Sequence, residues 1–191
     1  PEWERSFPFR YVLHKWLEDQ ERYVLVHAGA VGTPSGGVLL TGRGGSGKST
    51  STLACLQSRL QYAGDDFVMV DLDKLFVHSL YNVAKLDPEN LNRFPALQPL
   101  ADDQTIAPGQ KLQFYLHQHY PNVVTKGFPL KAIMLPRFTG SQQTTVRPAT
   151  PAESLKALAP STLALLRADQ RTFQKMTRLV HQVPVFWLET G

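Results

Sequence analysis

The segment Gly42-Arg43-Gly44-Gly45-Ser46-Gly47-Lys48-Ser49 matches Gly-x-x-x-x-Gly-Lys-Ser in full. That spacing makes a phosphate cradle. Glycines let the backbone curl until successive N–H groups converge on phosphate oxygens. The following helix adds the positive end of its dipole. Lys48 places a point charge on the β and γ phosphates, and the Ser49 hydroxyl is a Mg²⁺ ligand. Thr50, the next hydroxyl, lies in reach of an α-phosphate. The implied ligand is a nucleoside triphosphate, ATP, with Mg²⁺.

Phosphoryl transfer also needs carboxylates, for the metal ion and for the acceptor hydroxyl. Two candidates exist: the pair Asp65-Asp66, directly before an apolar run, and Asp71, which ends the run Phe67-Val68-Met69-Val70 in the formal Walker B shape. The pair is preferred. Adjacent carboxylates raise each other's proton affinity unless a cation separates them, and the P-loop supplies one. With Asp66 on the metal ion, Asp65 is free to accept a proton from a hydroxyl. His27 stands on the strand expected beside the P-loop strand, where it could donate to phosphate or tune the base. His117 and His119 have no third ligand at a metal-site spacing and read as solvated loop residues, and His14, His78 and His181 carry no site pattern.

These groups need elements to hold them. Tyr23 to Val31 and Val38 to Thr41 read as strands, with a turn from Gly32 to Gly37 too short for a helical crossover, so the two should be antiparallel neighbours. Ser46 to Gln61 has helical periodicity, with Leu53, Leu56 and Leu60 on one face and Gly64 ending it. Phe67 to Leu72, Leu75 to His78, Leu112 to Leu116, Leu130 to Leu135, Thr144 to Arg147 and Val183 to Leu188 read as strands. Helices are expected from Phe9 to Asp19, from Pro151 onward and from Thr172 to His181, and a helical turn or two from Tyr81 to Leu86. The Pro-, Asn- and Asp-rich stretch Asp87 to Gly109 reads as a long loop. The expectation is a single α/β domain over residues 1–191, a P-loop domain with a mixed sheet.

The chain of 191 residues carries a net charge of +4 and one cysteine. The cations are scattered, with no block of like charge, which argues against a nucleic-acid partner. The single Cys55 excludes a disulfide framework and reads as a buried small hydrophobe. No apolar run reaches membrane-span length, and no leader pattern is seen, so the expectation is a cytoplasmic protein.

His27-Ala28-Gly29-Ala30-Val31, Gly37 to Gly42, the P-loop, and Gly64-Asp65-Asp66-Phe67-Val68 together resemble the catalytic domain of HPr kinase/phosphorylase. The chain is more similar still to the HPr-kinase-like serine kinases, some of which serve peptide natural-product clusters. Weaker likeness extends through Ser79 to Leu86, Leu135-Pro136-Arg137 and Leu158 to Leu163. The resemblance implies a sheet like that of phosphoenolpyruvate carboxykinase. It implies that Lys48 and Ser49 act on phosphate and Mg²⁺, that Asp65 and Asp66 divide the base and metal roles, and that His27 accompanies them. Lys85 and Arg137 become candidates for phosphate or acceptor contact. The glycine-rich signature that follows the aspartates in HPr kinase/phosphorylases is missing, so the resemblance does not carry over HPr, reverse phosphorolysis or a hexamer. The expected activity is transfer of the γ-phosphate to a hydroxyl, first of all a serine of a peptide or protein. A small-metabolite kinase and a non-catalytic nucleotide-binding module are the alternatives. Assembly with further copies of the chain is left open.

Overall fold

A computed structural model describes residues 12–13, 15–17, 19–81, 83–102, 104–165 and 170–191. Ten strands are formed among them: β1 (Tyr23–Thr33), β2 (Gly36–Thr41), β3 (Gln61–Gly64), β4 (Phe67–Asp71), β5 (Phe76–Ser79), β6 (Val83–Leu86), β7 (Leu112–Tyr115), β8 (Gly127–Phe138), β9 (Thr145–Ala149) and β10 (Val185–Thr190). Three longer helices are α1 (Lys48–Cys55), α2 (Pro151–Leu165) and α3 (Gln170–Gln182). Eight of the strands form one mixed sheet, and β6 and β7 form a separate two-stranded ribbon.

The large sheet closes partly on itself because its two longest strands change partners along their length. β1 pairs with β4 over Tyr23 to His27 and with β2 over Ala28 to Thr33, both antiparallel as expected of β2. β8 pairs antiparallel with β5 through Gly127 to Pro129, then parallel with β2 through Leu130 to Met134. On its other edge β8 runs parallel to β10, whose far side is covered by antiparallel β9.

Alternation along β1 assigns its two faces. Val24, Val26, Ala28 and Ala30 are buried in one cluster with Leu158 of α2 and Met176, Leu179 and Val180 of α3. Burying an aliphatic side chain of this size stabilises by about 1.5–3 kcal/mol, so this helical layer carries much of the fold. α2 begins with a reciprocal capping box. The Glu153 amide donates to the Thr150 hydroxyl at 3.2 Å, and Glu153 Oε2 accepts from the Thr150 amide at 2.7 Å. The opposite face of β1 holds Leu25, packed with Leu17 and Phe67, and also His27 and Gly29.

Several sequence expectations are corrected. The P-loop helix ends at Cys55 rather than Gln61, and Gln61 to Gly64 pair with β1 instead. Tyr62 and Ala63 are fully buried there, and the ladder contacts override the Leu53/Leu56/Leu60 period. Cys55 is half-buried rather than buried. Tyr81 to Leu86 is not helical: Val83 to Leu86 pair with β7, and Ala84 and Leu86 alternate inward. Asp87 to Gly109 is not a bare loop, since 3₁₀ turns at Pro88–Arg93 and Pro95–Leu97 and a helical turn at Gln98–Ala101 bury Phe94, Leu97 and Ala101 beside α1. Of the expected helix from Phe9 to Asp19, residues 12–13 and 15–17 are helical and the remainder, with His14, lies mostly outside the described residues.

Candidate active site

β2 delivers the chain into the P-loop at Gly42, and α1 leaves it at Lys48. Gly47 sits at φ 90° at the helix N-terminus and Gly45 at φ 76°, a left-handed region in which a side chain would be strained. The Lys48 side chain is only 7% exposed. Its ammonium donates to the Gly42 carbonyl at 2.8 Å and to the Arg43 carbonyl at 3.0 Å. Burial is the main cause lowering the Lys48 pKa, and the Asp65 carboxylate opposes it. The Ser46 hydroxyl is buried with no hydrogen-bond partner. Arg43 is exposed, and Ser49 and Thr50 are half-buried on the first helical turn.

Close approach of α1 to β1 depends on Gly29, since a Cβ there would stand 1.9 Å from the Thr52 hydroxyl oxygen. Thr52 is itself buried and donates to the Lys48 carbonyl at 2.8 Å. The aspartates enter from the neighbouring ladder. β1 pairs Ala30 with Gly64 and His27 with Phe67. Asp65 and Asp66 therefore fall between these pairs, alongside Gly29 and Ala28, where the P-loop helix crosses the sheet.

The two carboxylates meet different surroundings. Asp65 is 5% exposed, and neither oxygen makes a hydrogen bond of full geometry. Burial drives its pKa up to about 7, and the nearby Ser49 hydroxyl and Lys85 backbone only partly offset this. Asp66 is more open. Its Oδ2 receives the Lys85 ammonium at 2.9 Å, and its Oδ1 lies 3.5 Å from His27 Nε2. Burial, then the positive charge of Lys48, pushes His27 down to about 4, so its ring is neutral at pH 7. The His27 amide donates to the Thr162 hydroxyl of α2 at 3.3 Å, at the point along β1 where its partner changes from β4 to β2.

The structure thus brings together Lys48, Ser49, Asp65, Asp66, His27 and Lys85. It holds two other carboxylate and cation candidates elsewhere. Asp71, at the far end of β4, is shielded by Arg22, whose Nε donates to it at 2.9 Å. It accepts from the amides of Asp73 and Lys74, each at 3.0 Å, in the turn that leads to β5. The Arg22 hydrogen bond is the main cause holding its pKa at about 2. Arg137 lies one residue beyond Pro136, which borders Gly42. Its guanidinium, however, points to Glu189 at 2.6 Å and stacks 5.1 Å from the Trp187 ring centre.

Lys111 was not singled out from the sequence. Its charge reaches His27, Lys48 and Asp65, while its ammonium pairs with Asp87 at 3.3 Å. Only the β6–β7 pairing brings it there, and no motif announces that pairing. Tyr62, one residue past the expected helix, has a buried hydroxyl without a hydrogen-bond partner among the described residues. Burial raises its pKa, and both aspartates add to this. His117 and His119 are exposed on a helical turn after β7. Among the described residues no cluster of three or more metal-ligating side chains occurs, and no helix is long and apolar enough to cross a membrane.

Compared with known proteins, the chain matches no family model and no curated protein. Among solved structures it is similar in fold to the HPr(Ser) kinase/phosphatase from Coxiella burnetii. That likeness covers 87% of this chain and 85% of the other, with a TM-score of 0.41 and 11% identity. It is a resemblance of fold.

Proposed function

We propose that this chain is an ATP-dependent phosphotransferase that moves the γ-phosphate to a hydroxyl. The observation that supports this reading is the meeting of two unlike carboxylates at the P-loop: Asp65 buried beside Ser49, and Asp66 open and joined to His27 and Lys85. A nucleotide-binding module needs the first; the second serves a reacting hydroxyl.

The geometry favours an assignment of the pair that reverses the sequence expectation. Asp65 has oxygens without full hydrogen bonds and lies next to Ser49. A buried carboxylate of this kind suits Mg²⁺, which is commonly held by one or two carboxylates plus substrate phosphates rather than by a protein cage. Ser49 and Asp65 would hold the ion, which when bound neutralises charge on the β and γ phosphates. Lys48, released from the Gly42 and Arg43 carbonyls, takes the phosphates together with the loop amides and the Ser46 hydroxyl. Asp66 orients the acceptor hydroxyl and receives its proton. The acceptor oxygen bonds to the γ-phosphorus, the bond from that phosphorus to the β,γ-bridging oxygen breaks, and the electron pair stays on ADP. His27, neutral at pH 7, holds Asp66, and Lys85 offsets charge on the transferring group.

The test is phosphate transfer from γ-labelled ATP to a panel of hydroxyl compounds and serine peptides, with the intact chain and with Asp66→Asn. Transfer by the parent chain with retained nucleotide binding but lost transfer in Asp66→Asn is the expected result. Tight Mg²⁺·ATP binding with no transfer to any acceptor would leave a nucleotide-binding module as the better reading.

A further inference from the structure

A concave site lies around Lys111, whose charge reaches His27, Lys48 and Asp65. It is a cleft of about 350 Å³ whose walls are Leu100, Gln104, Thr105 and Ile106 and the strand β7 with its flanks. Its wall is rigid. The Gln104 amide donates to the carbonyls of Leu100 and Gln113, both at 2.8 Å, and its oxygen accepts from the Gln113 amide at 2.9 Å.

One wall of the cleft shares a sheet face with Lys85, as the strand register shows. β6 and β7 pair Lys85 with Gln113 and Val83 with Tyr115. Directly opposed residues share one face of a sheet, and residues two apart along a strand do as well. Lys85, Gln113, Tyr115 and, one step before the strand, Lys111 therefore lie on one face, while Ala84, Leu86, Leu112 and Phe114 fill the core on the other. Lys85 uses that face to reach Asp66. Lys111, Gln113 and Tyr115 line the cleft.

The lining has a definite chemistry. Leu100 and Ile106 give it an apolar floor, Lys111 and His119 are its basic groups, and no carboxylate is among the described lining residues. Among the described residues the buried Tyr115 hydroxyl has no hydrogen-bond partner, which is costly unless a ligand supplies one. Among the described residues Lys111 pairs with Asp87, both side chains being about half exposed. Exposed pairs contribute little, so a ligand anion can replace Asp87.

We propose that this cleft is the acceptor site, and that the acceptor is a small hydroxylated carboxylic acid rather than a folded protein. Its carboxylate sits on Lys111 and the Tyr115 hydroxyl, and its alcohol points along the Lys85 face to Asp66. The volume lies at the low end of small-molecule sites, about 300–1,000 Å³. This assignment rests on the phosphotransfer reading for what the cleft is for, but not for whether it binds.

The test separates the two. The intact chain is titrated by calorimetry with glycerate, L-serine, lactate and malate, against glycerol and a serine-containing hexapeptide, with a non-hydrolysable ATP analogue and Mg²⁺ present. At least one hydroxy acid is expected to bind, with glycerol much weaker. Lys111→Met and Tyr115→Phe, checked for unchanged thermal melting, should each lower that affinity about tenfold. Binding of glycerol or the peptide in preference to every acid overturns the proposal, as does an affinity indifferent to both substitutions. Acid binding that depends on Lys111 and Tyr115, without any transfer of phosphate, supports the cleft and overturns the phosphotransfer reading instead. Transfer whose KM ignores both substitutions does the reverse.

Discussion

The Lys85 ammonium lies 2.9 Å from the Asp66 carboxylate, although Lys85 stands on the β6–β7 ribbon and Asp66 in the bend between β3 and β4 of the large sheet. The contact spans the space between the large sheet and the β6–β7 ribbon, and it separates the surroundings of two adjacent aspartates. Asp66 is drawn toward the ribbon and its cleft. Asp65 remains under the P-loop with Ser49.

That separation predicts different losses. Asp66→Asn should leave Mg²⁺·ATP affinity within about threefold and lower kcat by about 10²–10⁴, the range for loss of a general base. Asp65→Asn should abolish the Mg²⁺ dependence of nucleotide binding. Titrations with and without Mg²⁺, set beside single-turnover transfer rates, check both. The opposite pattern would return the pair to the order expected from sequence.

Asp65 also predicts an unusual pH dependence. Its folded pKa, about 7, lies above its unfolded value. The stability it contributes is fully present below about pH 4 and is lost as pH rises through 7. Asp65→Asn should therefore melt higher than the parent at pH 8, by up to about 4 kcal/mol, with the gain shrinking toward pH 5. His27 works in the other direction. Its folded pKa, about 4, is depressed, so its contribution is lost as pH falls from about 6.5 toward 4. Thermal melts at pH 5 and pH 8 check the Asp65 sign.

Mg²⁺·nucleotide binding should release protons near neutrality, because a cation favours the ionised carboxylate. At pH 6 the protein-derived release should approach one proton, and at pH 8.5 it should nearly vanish. Calorimetry in buffers of different ionisation enthalpy measures it. Asp65→Asn, serving as the control, should lose the protein's share.

Asp71 is the carboxylate with the sequence shape of a Walker B residue and the surroundings of a turn anchor. Asp71→Asn should leave nucleotide binding and transfer unchanged and should lower stability. The pKa of Asp71, about 2, lies below its unfolded value, so its contribution is present above about pH 4 and lost as pH falls toward 2. Denaturant melts at pH 7 and pH 3 should differ for the parent and converge in the variant.

Gly29→Ala should displace α1, because the new methyl would meet the Thr52 hydroxyl at 1.9 Å between two buried elements. Overpacking of this kind costs about 1–3 kcal/mol, and the shifted helix should weaken nucleotide binding as well. Adding Thr52→Ala should restore part of both losses, measured as a double-mutant cycle.

The sequence alone determined the parts whose chemistry is local. A P-loop needs its glycines, lysine and serine in one short run, so Gly42 to Ser49 could be read without a fold. The antiparallel β1–β2 pair was legible because a short turn cannot form a parallel crossover. Helices α2 and α3 were legible from a proline start and one apolar face. What depended on distant pairing was not legible. Gln61 to Gly64 became a strand because β1 offered it a ladder, and Val83 to Leu86 became one because β7 did. Both gains come from hydrogen bonds and burial supplied by residues far away in the chain, which local periodicity does not record. The β6–β7 pairing placed Lys111 and Tyr115 on the face that carries Lys85, and the β8–β10 pairing set Arg137 opposite Glu189. The sequence could therefore name the aspartate pair, but only tertiary structure put Asp65 beside Ser49 and Asp66 beside Lys85, because neighbouring carboxylates become unlike only through the elements packed around them.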